Sequence, residues 1–318
     1  MTTIDLTTEI TEELSGQRLD QVLAKCYPQY SRERFKQWIL AGVVTVDGEK
    51  MRPRDKVETG QKIILHTQLA DAVTSKPEAI ALNIVYEDEA IIVLNKPVGL
   101  VVHPGAGNQR GTLMNALLHH DPNMATLPRA GIVHRLDKDT SGVMVVARTL
   151  EAYTSLVRQL QDRSVRREYD TIVYGKIIAG STIDAPIARH PHQRLKMAVV
   201  DSGKPALTHY RVKERFEHFT RLSVQIETGR THQIRVHMAY IHHPVVGDPV
   251  YGGRLRLPPN TTEAFKDLLR HFNRQALHAA SLTLIHPVTE EEMSWQVPLP
   301  EDYQQLLSAI SLDNKPSN

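Results

Sequence analysis

The chain has one cysteine, Cys26, in 318 residues. A lone thiol cannot close an intrachain disulfide, so the core must hold the fold, and a reducing compartment fits. No apolar run approaches the ~20 residues of a membrane helix. Residues 1–15 carry four acids, no Lys or Arg, and no apolar centre, so no signal peptide is expected. These absences point to a cytoplasmic protein without membrane contact. Net charge is scarce too, with 38 Lys and Arg against 36 Asp and Glu. Its distribution says more than its sum: residues 16–62 hold ten Lys and Arg but six Asp and Glu. A local basic surface is an electrostatic footprint for nucleic acid. Two catalytic signatures are also missing. The Gly- and Pro-rich residues 95–107 lack the Gly-Lys-Ser/Thr ending of a phosphate-binding loop. His232, His237, His242 and His243 cluster without an H-E-x-x-H pattern or a cysteine partner, so no metal site is expected.

Residues 1–15 read as a loose tail or an edge strand. Leu19, Val22 and Leu23 share one helical face, ended by Pro28. Ser31 suits the N-cap of a second helix, with Phe35, Trp38 and Ile39 inward and Gly42 closing it. Arg32, Arg34 and Lys36 decorate that helix. Asp47-Gly48 signals a hairpin after residues 43–46, and residues 67–80 read as a linker. Further on, strands are expected at 82–86, 91–94, 143–147, 168–174, 206–215, 222–226, 281–286 and 292–297. Helices are expected at 112–119, 150–160 (capped by Thr149), 231–241 (capped by Thr231) and 262–272. The stripe Leu150, Tyr153, Leu156, Val157, Leu160 reads as core. Neighbouring strands without regular intervening helices argue for a mixed, largely antiparallel sheet and an α+β fold. The tail from Asn314 is expected to be disordered.

The chain is organised around residues 131–142, GIVHRLDKDTSG, which pack a His, an Arg, a Lys and two carboxylates ahead of the apolar run at 143–147. A Thr-Ser-Gly step into a buried strand suits a tight turn, placing the charges at a strand edge beside a cleft. Taken alone, such a segment is more often a charged surface turn.

Longer motifs change that reading. The segment RLDQVLAKCYPQYSRERFKQWILAGVVTVDG resembles the S4 RNA-binding module, and residues 16–75 are assigned to it. HRLDKDTSG, RREYDTIVYG and ETGRTHQIRVHMAYIHHPVVGDPVYG together resemble the RluA-type pseudouridine synthases, with residues 80–310 as the catalytic domain. The resemblance implies isomerisation of uridine in RNA: the bond to N1 is cut, the base turns, and C5 joins the sugar. It implies Asp137 as the catalytic carboxylate, Arg235 as its partner, and Tyr169 as the ring stacked on the target base. It implies Arg135 filling the space left by the flipped base and Leu277 lining the uracil pocket. Arg32, Arg34 and Lys36 are expected to bind RNA. The likeness is greatest to members acting on large-subunit ribosomal RNA, which implies the helix 69 stem-loop as substrate. A redox-neutral isomerisation by a monomer needs no cofactor. Physically, a uracil in folded RNA must leave the stack, a carboxylate must act on the nucleoside, and a cation must keep that carboxylate ionised in a closed pocket.

Asp139 competes with Asp137; capping the Asp-Thr-Ser-Gly turn is the role expected of it. A non-catalytic ribosome-assembly factor would need the basic surfaces but not Asp137, Tyr169 and Arg235. A glycosidase would need two carboxylates across the bond, where this chain offers one Asp with an Arg partner.

Overall fold

The computed structural model describes residues 2–27, 30, 32–69, 76–105, 107–193, 196–259 and 261–313. Pro28, Ser31, residues 70–75 of the expected linker and the tail from Asn314 lie outside the described residues. The chain divides into two compact units, Met1–Thr74 and Ser75–Asn318.

In the smaller unit, Leu19–Cys26 and Arg32–Leu40 are helices. Thr2–Glu9 forms an edge strand rather than a tail, in the order Thr2–Glu9, Lys62–Leu69, Val44–Val46. Leu19, Val22, Leu23, Phe35, Ile39 and Ile63 form its core. Asp47 and Gly48 both turn through left-handed backbone, at φ 50° and 86°, as a two-residue turn requires. The hairpin stops there, however. Glu49 makes one bridge to Val46, and the strand Val44–Val46 takes its ladder from Lys62–Leu69 instead. The residues after the turn are charged and include Pro53, which cannot donate to a ladder.

The larger unit is a nine-stranded sheet. Its strands run Ile84–Glu87, Ile91–Lys96, Ser141–Ala147, Leu277–Ile285, Arg166–Tyr174, Phe219–Ile226, Leu207–Arg215, Ser181–Asp184, with Glu292–Gln296 also on Leu277–Ile285. Among the described strands only Ser141–Ala147 and Leu277–Ile285 pair in parallel; the other pairs are antiparallel, as the α+β reading expects. Ser141–Ala147 is buried along its whole length. Its entry needs Gly142 (φ +120°), where a Cβ would lie 2.2 Å from the Ala279 carbonyl oxygen.

The helices Leu113–His120, Leu150–Gln161 and Glu263–His271 fall near their expected places. Leu150 does not join the core; it is 57% exposed. The helix at 231–241 is Gln233–Tyr240, and its N-cap is His232 in left-handed backbone, not Thr231. Gln233 holds that turn from inside, its Oε1 accepting from Arg230 N–H (3.0 Å) and the Thr228 hydroxyl (2.7 Å). A final helix, Glu301–Asp313, was not expected; it buries Tyr303, Leu306 and Ile310.

Candidate active site

The sheet's two-residue period sorts its side chains. In Arg166–Tyr174, Arg167 and Tyr169 face one way and Asp170 the other. Tyr169 pairs with Ala279 and Thr171 with Leu277, so Tyr169 and Leu277 share a face. On that face lies an open cleft of about 300 Å³, lined by Arg135, Asp137, Tyr169, Arg235 and Leu277 among others. All five residues placed in the catalytic domain from the sequence therefore meet in one cleft.

Asp137 stands in the loop leading into Ser141–Ala147, and four buried side chains fix that loop. Lys96 donates to the Lys138 carbonyl (2.9 Å), and also to those of Pro97 and Leu100. Arg274 reaches the Asp139 carbonyl (3.4 Å), Gln275 donates to Thr140 Oγ1 (2.9 Å), and His278 pairs with Ser141 Oγ (2.9 Å). Asp139 enters this web through its backbone carbonyl, while the expected side-chain cap is absent: Thr140 N–H donates to the Asp137 carbonyl.

Arg235 donates from Nη1 to Asp137 Oδ2 at 2.9 Å. Its other two nitrogens go elsewhere: Nε and Nη2 grip Asp248 at 2.7 and 2.9 Å. Asp248 also accepts the N–H groups of Val250 and Tyr251. Burial alone would neutralise both partners, but their contact wins: Arg235 is held above the ordinary arginine range, and Asp248 below the carboxylate range. The sequence places Arg235 beside an apolar helix face. In fact residues 233–238 are buried all round, so its inward direction comes from Asp248. That residue was missed. Its only signal was a lone acid in the motif GDPVYG.

His232 adds a second group toward Asp137, with Nε2 3.8 Å from Oδ1. Tyr251 Oη accepts from Met197 N–H (2.9 Å). The same hydroxyl pairs with His232 Nδ1 at 2.8 Å, which orients the ring with Nε2 facing Asp137. Burial lowers the His232 pKa against the pull of Asp137. Tyr251 also underlies Arg235, whose guanidinium lies 5.1 Å from the ring centroid. Tyr169 is 6% exposed, and burial raises its phenol pKa. On the opposite face, Asp170 receives Tyr303 Oη (2.7 Å), Arg221 and Lys213 (each 2.9 Å).

In the smaller unit, Arg32 is engaged: Nε and Nη2 both bond Asp20 Oδ2, at 2.9 and 2.8 Å. Arg34 lies 5.9 Å from the Trp38 ring centroid, and Lys36 is exposed. Among the described residues, no group of three or more His, Cys, Asp or Glu is placed to hold a metal. Nor is any helix long and apolar enough to cross a membrane.

A carboxylate held by a guanidinium, beside a buried ring and an apolar wall, can receive a flat base. Residues 90–240 match the RNA pseudouridylate synthase family, and residues 17–63 match the S4 domain. The chain belongs to that family, as a pseudouridine synthase with an S4 domain ahead of its catalytic domain. It is 57% identical over 307 residues to ribosomal large subunit pseudouridine synthase D of Pseudomonas aeruginosa, covering 96% of each chain. To the protein of that name in Haemophilus influenzae it is 54% identical over 314 residues, covering 98% of this chain and 97% of that one. Among solved structures, human RNA pseudouridylate synthase domain containing 4 is similar at TM-score 0.56 and 25% identity, over 72% of this chain and 93% of its own.

Proposed function

We propose that this enzyme converts uridines of large-subunit ribosomal RNA, in the helix 69 stem-loop, to pseudouridine, with Asp137 as nucleophile toward a flipped-out nucleotide. The observation that carries this reading is the 2.9 Å contact of Arg235 with Asp137, in the cleft that Tyr169 and Leu277 line. The flipped base stacks on Tyr169 and against Leu277, and Arg135, exposed at the cleft, fills the gap in the RNA stack. Arg235 holds Asp137 in place through its hydrogen bond as the base displaces water. The N1–C1′ bond breaks, the C5–C1′ bond forms, C5 gives up a proton and N1 gains one. Nothing is oxidised or reduced, so the reaction asks for no cofactor. The names of the similar proteins support the ribosomal substrate.

Residues 16–75 serve as the RNA-binding domain, with Arg34 and Lys36 toward the phosphates, and residues 80–310 carry the chemistry. Arg32 contributes through the charge that remains beyond its bond to Asp20. The enzyme works as a monomer in the cytoplasm. The test is to map pseudouridines in ribosomal RNA from cells lacking the gene. Loss confined to the helix 69 loop, restored by the wild-type gene and not by Asp137→Asn, is the expected result. Full modification of that loop in the deletion strain would contradict it.

A further inference from the structure

The cleft holds more positive charge than its one carboxylate can balance. Arg129, Arg135, Arg167, Arg230 and Arg235 all line it, against Asp137 as the sole acid. Asp137 is already paired with Arg235. The other four have no carboxylate partner among the described residues; the side chains of Arg167 and Arg230 bond only the carbonyls of Glu227 and Pro205. Elsewhere in the same unit Arg148, Arg221 and Arg274 each hold an acid. Arg167 is 6% exposed and its buried Nε has no partner. Unpaired buried cations are unfavourable unless something arrives to meet them.

A second unpartnered atom lines the same cleft. His103 Nε2 is buried with no hydrogen bond. Burial first, then the nearby charges of Arg129 and Arg135, push the His103 pKa down to about 4, so the ring is neutral and adds no charge of its own.

The backbone under Arg129 is fixed in an unusual way. Arg129 (φ 54°, ψ 34°) and Ala130 (φ 51°, ψ 44°) are both left-handed, a conformation L-residues disfavour and which persists only when its surroundings impose it. Here they do. Ala130 and Ile132 are each 1% exposed, and Ile132 bridges to Val146 of the buried central strand. At Gly131 (φ +76°) a Cβ would stand 1.9 Å from the Ala147 carbonyl oxygen. The turn is therefore locked to the strand that Asp137 leads into, and Arg129 leaves it in a set direction.

We propose that Arg129 and His103 form a clamp for one backbone phosphate beside the target uridine. This rests on the RNA reading given above. A nucleotide that flips turns about its own backbone, so a neighbouring phosphate must be held while the base swings. A guanidinium fork matches phosphate oxygens, and a neutral imidazole supplies one further donor. Arg167, which lines the same cleft and is held by the Glu227 carbonyl, adds to the field that draws the anion in.

The test scans the stem-loop RNA with single neutral methylphosphonates, measuring affinity of wild type, Arg129→Gln, Arg129→Lys and His103→Gln. Wild type should lose roughly tenfold at one position flanking the target, as for a missing charge-assisted hydrogen bond. Arg129→Gln should start weaker by a similar factor and lose nothing more at that position, while still responding elsewhere. Arg129→Lys should fall between, and His103→Gln should blunt the same position. The salt slope of Arg129→Gln should shrink by roughly 0.7 of a log unit. Two outcomes overturn the clamp: no flanking position at which wild type is sensitive, or losses that multiply in Arg129→Gln at every position. Pseudouridine formation by wild type on unmodified RNA reports separately on the function itself, since these couplings are read from binding alone.

Discussion

Asp137 owes its state to a frame that does not include it. Arg235 turns two of its three nitrogens to Asp248 and one to Asp137. The Arg235–Asp248 pair is thus the fixed element, and Asp137 docks onto it. Lysine could reach one carboxylate but not span both. Arg235→Lys should therefore slow single-turnover conversion by about 10²-fold, the scale of losing one preorganised donor. Arg235→Met should be slower still, because it removes the donor to Asp137 altogether. Equal rates for all three proteins would make Arg235 a structural residue only. His134 tests a different point. Its Nε2 accepts the Val145 N–H at 3.1 Å, and burial lowers its pKa from 6.5 to about 3. The unfolded chain thus binds a proton that the folded chain refuses between those values, so folding stability falls as pH drops from 6.5 toward 3. By pH 5 this single group accounts for up to about 2 kcal/mol. His134→Gln should flatten the acid limb of stability against pH in urea unfolding; an unaltered limb would mean that other groups carry it.

The final helix, Glu301–Asp313, bears on the active site from behind. Asp302 accepts Arg274 Nη2 at 2.8 Å, and Arg274 also reaches the Asp139 carbonyl. Tyr303 is fully buried and bonds Asp170, the residue after Tyr169. Tyr303→Phe should cost about 1–2 kcal/mol in unfolding, the worth of a hydrogen bond to a buried charge, since Arg221 and Lys213 still satisfy Asp170. Stability equal to wild type would show that the hydroxyl is dispensable. This helix was missed although its period is written in Tyr303, Leu306 and Ile310 behind Pro300. By contrast, Ser141–Ala147 was legible because five apolar residues in a row, entered through Gly142, leave few other options. The His232 cap was not legible: nothing local announces a left-handed histidine, which depends on Gln233 and Thr228 closing the turn beneath it. Asp248 was hidden for a similar reason, since its partner stands 13 positions away. Motifs marked the residues that line the cleft better than those that hold them in place.

At the scale of the whole molecule, the proposed function divides the work of the two units between grip and chemistry. Removing residues 1–74 should leave a catalytic unit that binds the stem-loop more weakly yet converts it at a near-normal rate when saturated. Its salt dependence should flatten by roughly 0.7–0.9 of a log unit for each phosphate that the truncated protein no longer neutralises. A rate at saturation that collapses with the truncation would mean the smaller unit shapes the active site. The sharpest test of Asp137 as the nucleophile is a single-turnover comparison of wild type, Asp137→Asn and Asp139→Asn on one stem-loop RNA, with affinity measured alongside. Wild type and Asp139→Asn should form pseudouridine, whereas Asp137→Asn should form none while binding the RNA as tightly as wild type. Conversion by Asp137→Asn at the wild-type rate would contradict that role.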